Sequence, residues 1–558
     1  MKKIISFVLA ISLLQESFSQ QQYYSNPILA GFYPDPSICR ANDDYYIINS
    51  SFAYYPGLPI FHSKDLVNWK QVGHALNRPE QLNLDGAGVS RGLFAPAISY
   101  HKGVFYIVCT LIDKLGNFVI TATDPRGPWS NPVALPRVNG IDPSLFFDDN
   151  DKAYILFNSI PPGNISLHDG HRTIRMFEFD WKNLEVTGTE KLLINGGTDM
   201  AKKPVWIEGP HIYTKDGWYY LICAEGGTGY NHSEVVFRSK SVEGPYISYE
   251  KNPILTQRHL DPARKNPVTT TGHADFVETP DGKWYAVFLG CRPYEDNHYN
   301  TGRETFMAPV EWKNGWPHIL EGKEVVKMTY PVPIPSSTKK VVNPFGGNAF
   351  YEDDFNSSKL NDRFMFLRTV RKPWHSLTDK KGYLRLALRK ETCSEKLNPS
   401  FIAFRQQNHR CEVTTSVQFT PAAENEKAGL TIFQSETNFY FLCKSLEDGQ
   451  PVVQLYRSAK DSSMELVTSH RLAGKEKDLG MKIEARDDRY YFYYAGDDNK
   501  WISLSVHGLD AKFLSTKVAG GFVGAVFAFY ATSSGKQSSN KSFFNLFKYK
   551  GKDDVYKK

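Results

Sequence analysis

Polar turns alternate with short aromatic and aliphatic runs through the first 320 residues of the chain, and one such run recurs five times. Asp44-Tyr45-Tyr46-Ile47-Ile48, Gly103-Val104-Phe105-Tyr106-Ile107, Asp151-Lys152-Ala153-Tyr154-Ile155-Leu156, Gly217-Trp218-Tyr219-Tyr220-Leu221 and Gly282-Lys283-Trp284-Tyr285-Ala286 each step from a surface turn into a strand. With Tyr46, Tyr106, Tyr154, Tyr220 and Tyr285 aligned, the spacings are 60, 48, 66 and 65 residues. A period of that length made of short strands predicts a five-bladed β-propeller, one sheet per repeat. Each repeat continues into another alternating strand, a polar turn and an aromatic residue: Trp69, Trp129, Trp181, Tyr246 or Trp312. These rings are expected to pack between blades.

The pattern stops at Tyr330-Pro331-Val332-Pro333-Ile334-Pro335-Ser336-Ser337. Proline cannot join a central ladder, so this stretch predicts a surface linker. Period-2 alternation resumes at Tyr351 and recurs at Tyr383–Leu388, Cys411–Val417, Gly429–Phe433, Phe439–Leu442, Val452–Tyr456, Met481–Ala485 and Tyr490–Tyr493. Strands of this kind separated by turns predict a β-sandwich. The expected chain is therefore all-β: a propeller over residues 20–329, a linker over 330–350 and a sandwich over 351–558.

Candidate chemistry emerges from the same register. Asp35, Phe94, Asp142, Glu208 and His273 precede the five aligned tyrosines by 11, 12, 12, 12 and 12 residues. Each stands just before or within an apolar run that reads as the innermost strand of its blade. Innermost strands converge on the propeller axis, so these five positions should meet in one pocket. Asp-Pro alone is a common turn signal, and a lone histidine is usually a core residue. Three carboxyls at one register of a repeat are different, because acids rarely occupy inner strands without a task. Hydrolysis of a glycosidic bond needs one carboxyl that stays protonated and a second that activates water. A third carboxylate nearby raises the pKa of the acid by like-charge repulsion.

Composition narrows the partners. The 558 residues leave room for more than one domain, and 41 glycines with 32 prolines suit a turn-rich β protein. A net charge of +6 with 31 tyrosines and 10 tryptophans suits a neutral ligand better than a nucleic acid. The basic run Lys548-Tyr549-Lys550-Gly551-Lys552 reads as a solvated end. Lys2-Lys3, the apolar stretch Ile4–Leu14 and Ser17-Phe18-Ser19 read as a signal peptide over residues 1–19, which predicts an exported, periplasmic or extracellular protein. That apolar stretch is too short to span a membrane. The seven cysteines contain no CxxC pair, so a zinc site is not expected and no disulfide pairing can be derived.

Taken together, several segments resemble glycoside hydrolase family 43, in particular its two-domain exo-acting β-xylosidase and α-L-arabinofuranosidase members. They are Tyr33-Pro34-Asp35-Pro36-Ser37, Phe61-His62-Ser63-Lys64-Asp65-Leu66-Val67-Asn68-Trp69, Gly140-Ile141-Asp142-Pro143-Ser144, Glu208-Gly209-Pro210-His211, Glu225-Gly226-Gly227-Thr228, Gly272-His273-Ala274-Asp275 and Gly302-Arg303-Glu304-Thr305. The resemblance implies Asp35 as general base, Asp142 as the acid that tunes and orients its partner, and Glu208 as general acid, with inversion at the anomeric carbon. It implies Arg303 as a ligand of sugar hydroxyls, His273 as an axial histidine near an ion or water, and Phe52 as an aromatic wall of the terminal subsite. Phe94 stands where such proteins usually carry tryptophan, which alters the subsite's shape. The second domain is implied to be a concanavalin-like jelly roll that packs over the propeller and helps close the pocket.

The substrate so implied is a plant cell-wall oligosaccharide or polysaccharide ending in β-D-xylose or α-L-arabinofuranose. No cofactor is expected to be required, and a structural Ca2+ is left open. A non-catalytic sugar-binding propeller is the alternative, though it would need the aromatic residues and not three acids. An invertase-type five-bladed enzyme would carry Arg-Asp-Pro and Glu-Cys, where this chain has Ile141-Asp142-Pro143 and Glu208-Gly209.

Overall fold

The computed structural model describes residues 22–320, 324–334, 341–461, 463–473, 476 and 478–557; the segment read as a signal peptide lies outside them. Five antiparallel sheets follow one another along the chain. Their first strands are Ser37–Ala41, Ala97–His101, Ile141–Phe147, Glu208–Lys215 and Thr269–Glu278. Neighbouring first strands pack side by side, and the fifth packs on the first, which closes the ring. The aligned tyrosines sit on the second strands, opposite Cys39, Ser99, Phe146, Tyr213 and Val277. Each of those partners lies four or five residues beyond the axial position of its blade, so the repeat seen in the sequence is a repeat in space. Trp69 and Trp129 are fully buried, whereas Trp181, Tyr246 and Trp312 are only half-buried at the outer rim.

Ring closure depends on one buried carboxylate. Asp275 of the last blade accepts from Ser37 Oγ (2.7 Å) and Ile38 N–H (2.9 Å) of the first, and from Tyr213 OH (2.5 Å) of the fourth. The start of the chain adds a second fastening, because Tyr23–Ser25 pairs with Thr329–Pro331. Tyr330-Pro331 is therefore an edge strand and not the opening of a linker. A two-stranded edge tolerates proline because only one side of it must donate.

The remaining strands form facing eight- and nine-stranded sheets. All seven alternating segments named from the sequence are strands there, and Ser400–Arg405, Met464–Arg471, Val526–Thr532 and Lys541–Gly551 join them. The last of these corrects the reading of the basic tail. Lys548 and Lys550 point outward while Tyr549 between them is fully buried, so the segment is a strand and not a solvated end. The two domains share a core: Leu93 and Ile107 of the propeller and Phe364, Ile402 and Phe529 of the sandwich belong to one apolar cluster. Propeller residues Tyr54–Tyr55 also add a short strand to a sandwich sheet beside Met365–Leu367. All seven cysteines are buried and unpaired.

Asp275→Ala leaves three donors without an acceptor at the closure. Each unsatisfied group costs about 1–3 kcal/mol, so the thermal midpoint should fall by about 3–8 °C. An unchanged midpoint in a calorimetric scan would show that the ring does not depend on this carboxylate.

Candidate active site

The residues at the axis owe their direction to local irregularity. Asp35, Asp142 and His273 adopt left-handed backbone conformations, with φ of 50°, 53° and 54°. In the fourth blade the glycine after the acid takes that role, Gly209 having φ of 56°. The pairing register slips at Ile141/Ser144, Glu208/His211 and Gly272/Asp275. A bulge of this kind re-aims a side chain out of the regular alternation, and here it turns each side chain toward the axis. Gly209 cannot be replaced without strain, since a Cβ there would lie 2.9 Å from the His273 ring.

Asp35, Asp142, Glu208, His273 and Arg303 line one cavity of 390 Å3, together with Phe52 and Phe94. All seven site residues expected from the sequence thus meet. Ser50 Oγ donates to Asp35 Oδ2 (2.6 Å), and Arg303 Nη1 donates to Asp35 Oδ1 (2.8 Å). The turn carrying Asp35 is held by Asn49, whose Nδ2 donates to the carbonyls of Tyr33 and Pro34 (both 3.0 Å). His273 Nε2 lies 3.5 Å from Asp142 Oδ2. Thr228 Oγ1 donates to Glu208 Oε1 (3.4 Å). A larger cleft of 480 Å3 lies at the domain junction and is lined by five acids, but these are paired with cations: Asp553 with Arg292 (3.1 Å), Asp488 with Arg489 (3.5 Å) and Glu295 with Lys512 (2.8 Å). There Arg410 pairs with Asp487 (2.7 Å) and Asp554 (2.8 Å).

Residues 24–317 match Glycosyl hydrolases family 43, and residues 352–550 match the Beta xylosidase C-terminal Concanavalin A-like domain. The chain belongs to glycosyl hydrolase family 43. A xylosidase/arabinosidase of Butyrivibrio fibrisolvens is 38% identical, with 94% of this chain and 98% of that protein covered. A non-reducing end α-L-arabinofuranosidase of Bacteroides ovatus is 36% identical, with 95% of each covered. The crystal structure of a GH43_12 protein from a capybara gut metagenome superposes with a TM-score of 0.84 at 39% identity, covering 92% of this chain and 95% of that one.

Electrostatics divides this family 43 site into unlike parts. Burial, then the carboxylates of Asp142 and Asp35, push Glu208 well above the usual glutamate range, against the opposing pull of His273 and Arg303. Burial works against a charge on His273, yet its hydrogen bond to Asp142 and the fields of Asp35, Asp142 and Glu208 raise it to about 10. His273 is therefore an imidazolium at neutral pH, and Glu208 holds its proton. Among the described residues no group of three or more acidic, histidine or cysteine side chains is placed to hold a metal ion. No helix among them is long and apolar enough to cross a membrane.

Several lining residues were not foreseen. Phe522 comes from the sandwich, on the turn Gly520-Gly521-Phe522-Val523-Gly524, where both flanking contacts demand glycine. A Cβ on Gly521 would lie 2.2 Å from Ser90 Oγ, and one on Gly524 would lie 2.6 Å from the Thr301 carbonyl. Phe522 N–H donates to Ser90 Oγ (2.9 Å), which fixes the turn on the propeller. Phe52, Phe94 and Phe522 then stand with ring centroids 6.0 Å apart in each pair, and Arg303 lies 5.3 Å from the Phe522 ring. The Gly-Gly-Phe triplet was the available signal. Trp206, two residues before Glu208, also lines the cavity. Glu234 accepts from Ala274 N–H (2.9 Å) and so holds the kink that aims His273.

The state of Glu208 sets the alkaline limb of any proton-dependent activity. As pH rises through its elevated pKa the acid is lost, so kcat/KM should fall there. Asp142→Asn removes a like charge whose effect exceeds the opposing one of His273, so the limb should move to lower pH. An unmoved or upward-shifted limb in the pH–rate profile would contradict the assignment.

Proposed function

We infer that the protein is an inverting exo-glycosidase that removes terminal β-D-xylosyl or α-L-arabinofuranosyl residues from plant cell-wall glycans. The observation that carries this reading is the buried Glu208 sharing one cavity with two further acids, Asp35 and Asp142. Glu208 serves as the general acid toward the leaving oxygen, and Asp35 serves as the base that activates water. Asp142 raises the proton affinity of Glu208 and pairs with the His273 imidazolium. Arg303 orients Asp35 and presents its guanidinium to sugar hydroxyls. The triad of phenylalanines, one of them from the second domain, walls the cavity, which suits exo action on a single terminal sugar. At 390 Å3 the space is near the small end of ligand pockets, about 300–1,000 Å3. The names of the relatives, a xylosidase/arabinosidase and an arabinofuranosidase, support a pentose as the sugar removed. The basic and apolar N-terminal residues support export to the periplasm or medium.

Glu208→Ala should lower kcat/KM on arabinoxylan or xylo-oligosaccharides by about 10²–10⁴-fold, the usual worth of general acid help. Near-wild-type turnover of these unactivated substrates would refute the role. Proton NMR of the first-formed pentose should show the anomer opposite to that of the substrate, and retention would exclude Asp35 as a base acting through water.

A further inference from the structure

The cavity has a second wall unlike the phenylalanine box. Asp142 lies on the first strand of blade three near its start, and Ile141 pairs with Asn158 at the end of the second strand. The second strand of blade three therefore ends at the active-site face, and the loop that joins it to the third strand, between Ser159 and Thr173, rises beside the pocket. That loop is built, not slack. Trp206 N–H donates to the Gly170 carbonyl (2.7 Å) and Leu167 N–H to His171 Nδ1 (3.2 Å). His171 Nε2 in turn lies 2.8 Å from Asn195 Oδ1. Gly170 packs so closely on Val205 that a Cβ there would lie 2.9 Å from Val205 Cγ1.

Despite this order the loop shows apolar side chains to water. Ile165 is 68% exposed and Leu167 65%, and Val205, which also lines the cavity, is 43% exposed. The Arg172 guanidinium lies 4.0 Å from the centre of the Trp206 ring. Its Nε is buried without a hydrogen-bond partner. Apolar side chains on a braced loop, a cation on an indole and an unused donor make a surface that fits sugar rings, which carry apolar faces and hydroxyl edges.

We propose that Ile165, Leu167 and Val205, with the Arg172–Trp206 pair, form a ledge that binds the leaving-group side of an oligosaccharide beyond the scissile bond. The assignment of side rests on the proposed function. An acid at Glu208 must face the leaving oxygen; Thr228 donates to Glu208, and Val205 and Trp206 precede it in the chain and line the same cavity, whereas Arg303 stands by Asp35 and the phenylalanine rings. The ledge is continuous with the cavity through Val205 and Trp206. It selects chain length at the leaving end, and Arg172 acts as a positioning residue that holds the Trp206 ring flat.

The test compares kcat/KM on nitrophenyl β-xyloside and nitrophenyl α-arabinofuranoside with the series xylobiose to xylohexaose and the matching arabino-oligosaccharides. For the preferred sugar, wild-type kcat/KM should rise with chain length. An Ile165→Ser/Leu167→Ser double variant should lose about five- to tenfold of that rise, the scale of one lost apolar contact, with a smaller loss on the nitrophenyl glycoside, whose single aryl leaving group covers only the start of the ledge. Arg172→Ala should lose it chiefly through KM, and Arg172→Lys, which keeps a cation over the ring, should recover part. A wild type indifferent to chain length, or a double variant with an unchanged length dependence, would overturn the ledge while leaving the hydrolase intact. No turnover of any of these substrates by the wild type would overturn the hydrolase reading and the ledge with it.

Discussion

Three carboxyl groups share one buried cavity with only two cations, and the rest of the site follows from that imbalance. Arg303 is committed to Asp35 and His273 to Asp142. Glu208 is left with a hydroxyl, Thr228, as its neighbour. Two like charges roughly 6–8 Å apart at an effective dielectric near 20 repel by about 2–3 kcal/mol, or about two pKa units. Burial acts in the same direction. The cheapest way for the cavity to stay folded is to keep a proton on Glu208, and an acid that holds its proton at neutral pH is what glycoside cleavage needs.

Holding such groups together costs backbone energy. Asp35, Asp142, His273 and Phe52 all have positive φ, and a non-glycine residue in that region costs of order 1–3 kcal/mol. The cost is met by structure that lies outside the cavity. Asp275 ties the last blade to the first. Asn49 and Thr305 pin the turn before Asp35. Glu234 holds the strand beneath His273. The sandwich contributes as well, since Gly302 and Gly524 approach so closely that a Cβ on Gly302 would lie 2.7 Å from Gly524 N. That contact seats the Arg303 turn and delivers Phe522 in one step, which makes the second domain part of the pocket wall.

Much of this was legible in the chain because a propeller repeats. The spacing of Tyr46, Tyr106, Tyr154, Tyr220 and Tyr285 exposed five blades, and the constant offset back to Asp35, Phe94, Asp142, Glu208 and His273 exposed the axis. Alternation exposed the sandwich strands with one wet face. Gly429–Phe433 and Phe439–Leu442 read as strands although they are buried on both faces, whereas Val526–Thr532, equally buried, passes as a continuous apolar run. The basic residues around Tyr549 concealed an alternating strand, because two lysines outweighed one buried ring. Phe522, Trp206 and Glu234 lay beyond reach for another reason. They act through contacts between elements far apart in sequence, and no repeat marks them.

The most direct measurement of the central claim is the protonation state of Glu208 itself. Infrared difference spectroscopy between the wild type and Glu208→Gln, across a pH series, isolates its carboxyl stretch. The account predicts a protonated C=O band that persists at pH 7 and disappears only on the alkaline side. A carboxylate band already present at pH 5–6 would mean that burial and the neighbouring acids do not hold the proton, and the mechanism built on it would fail.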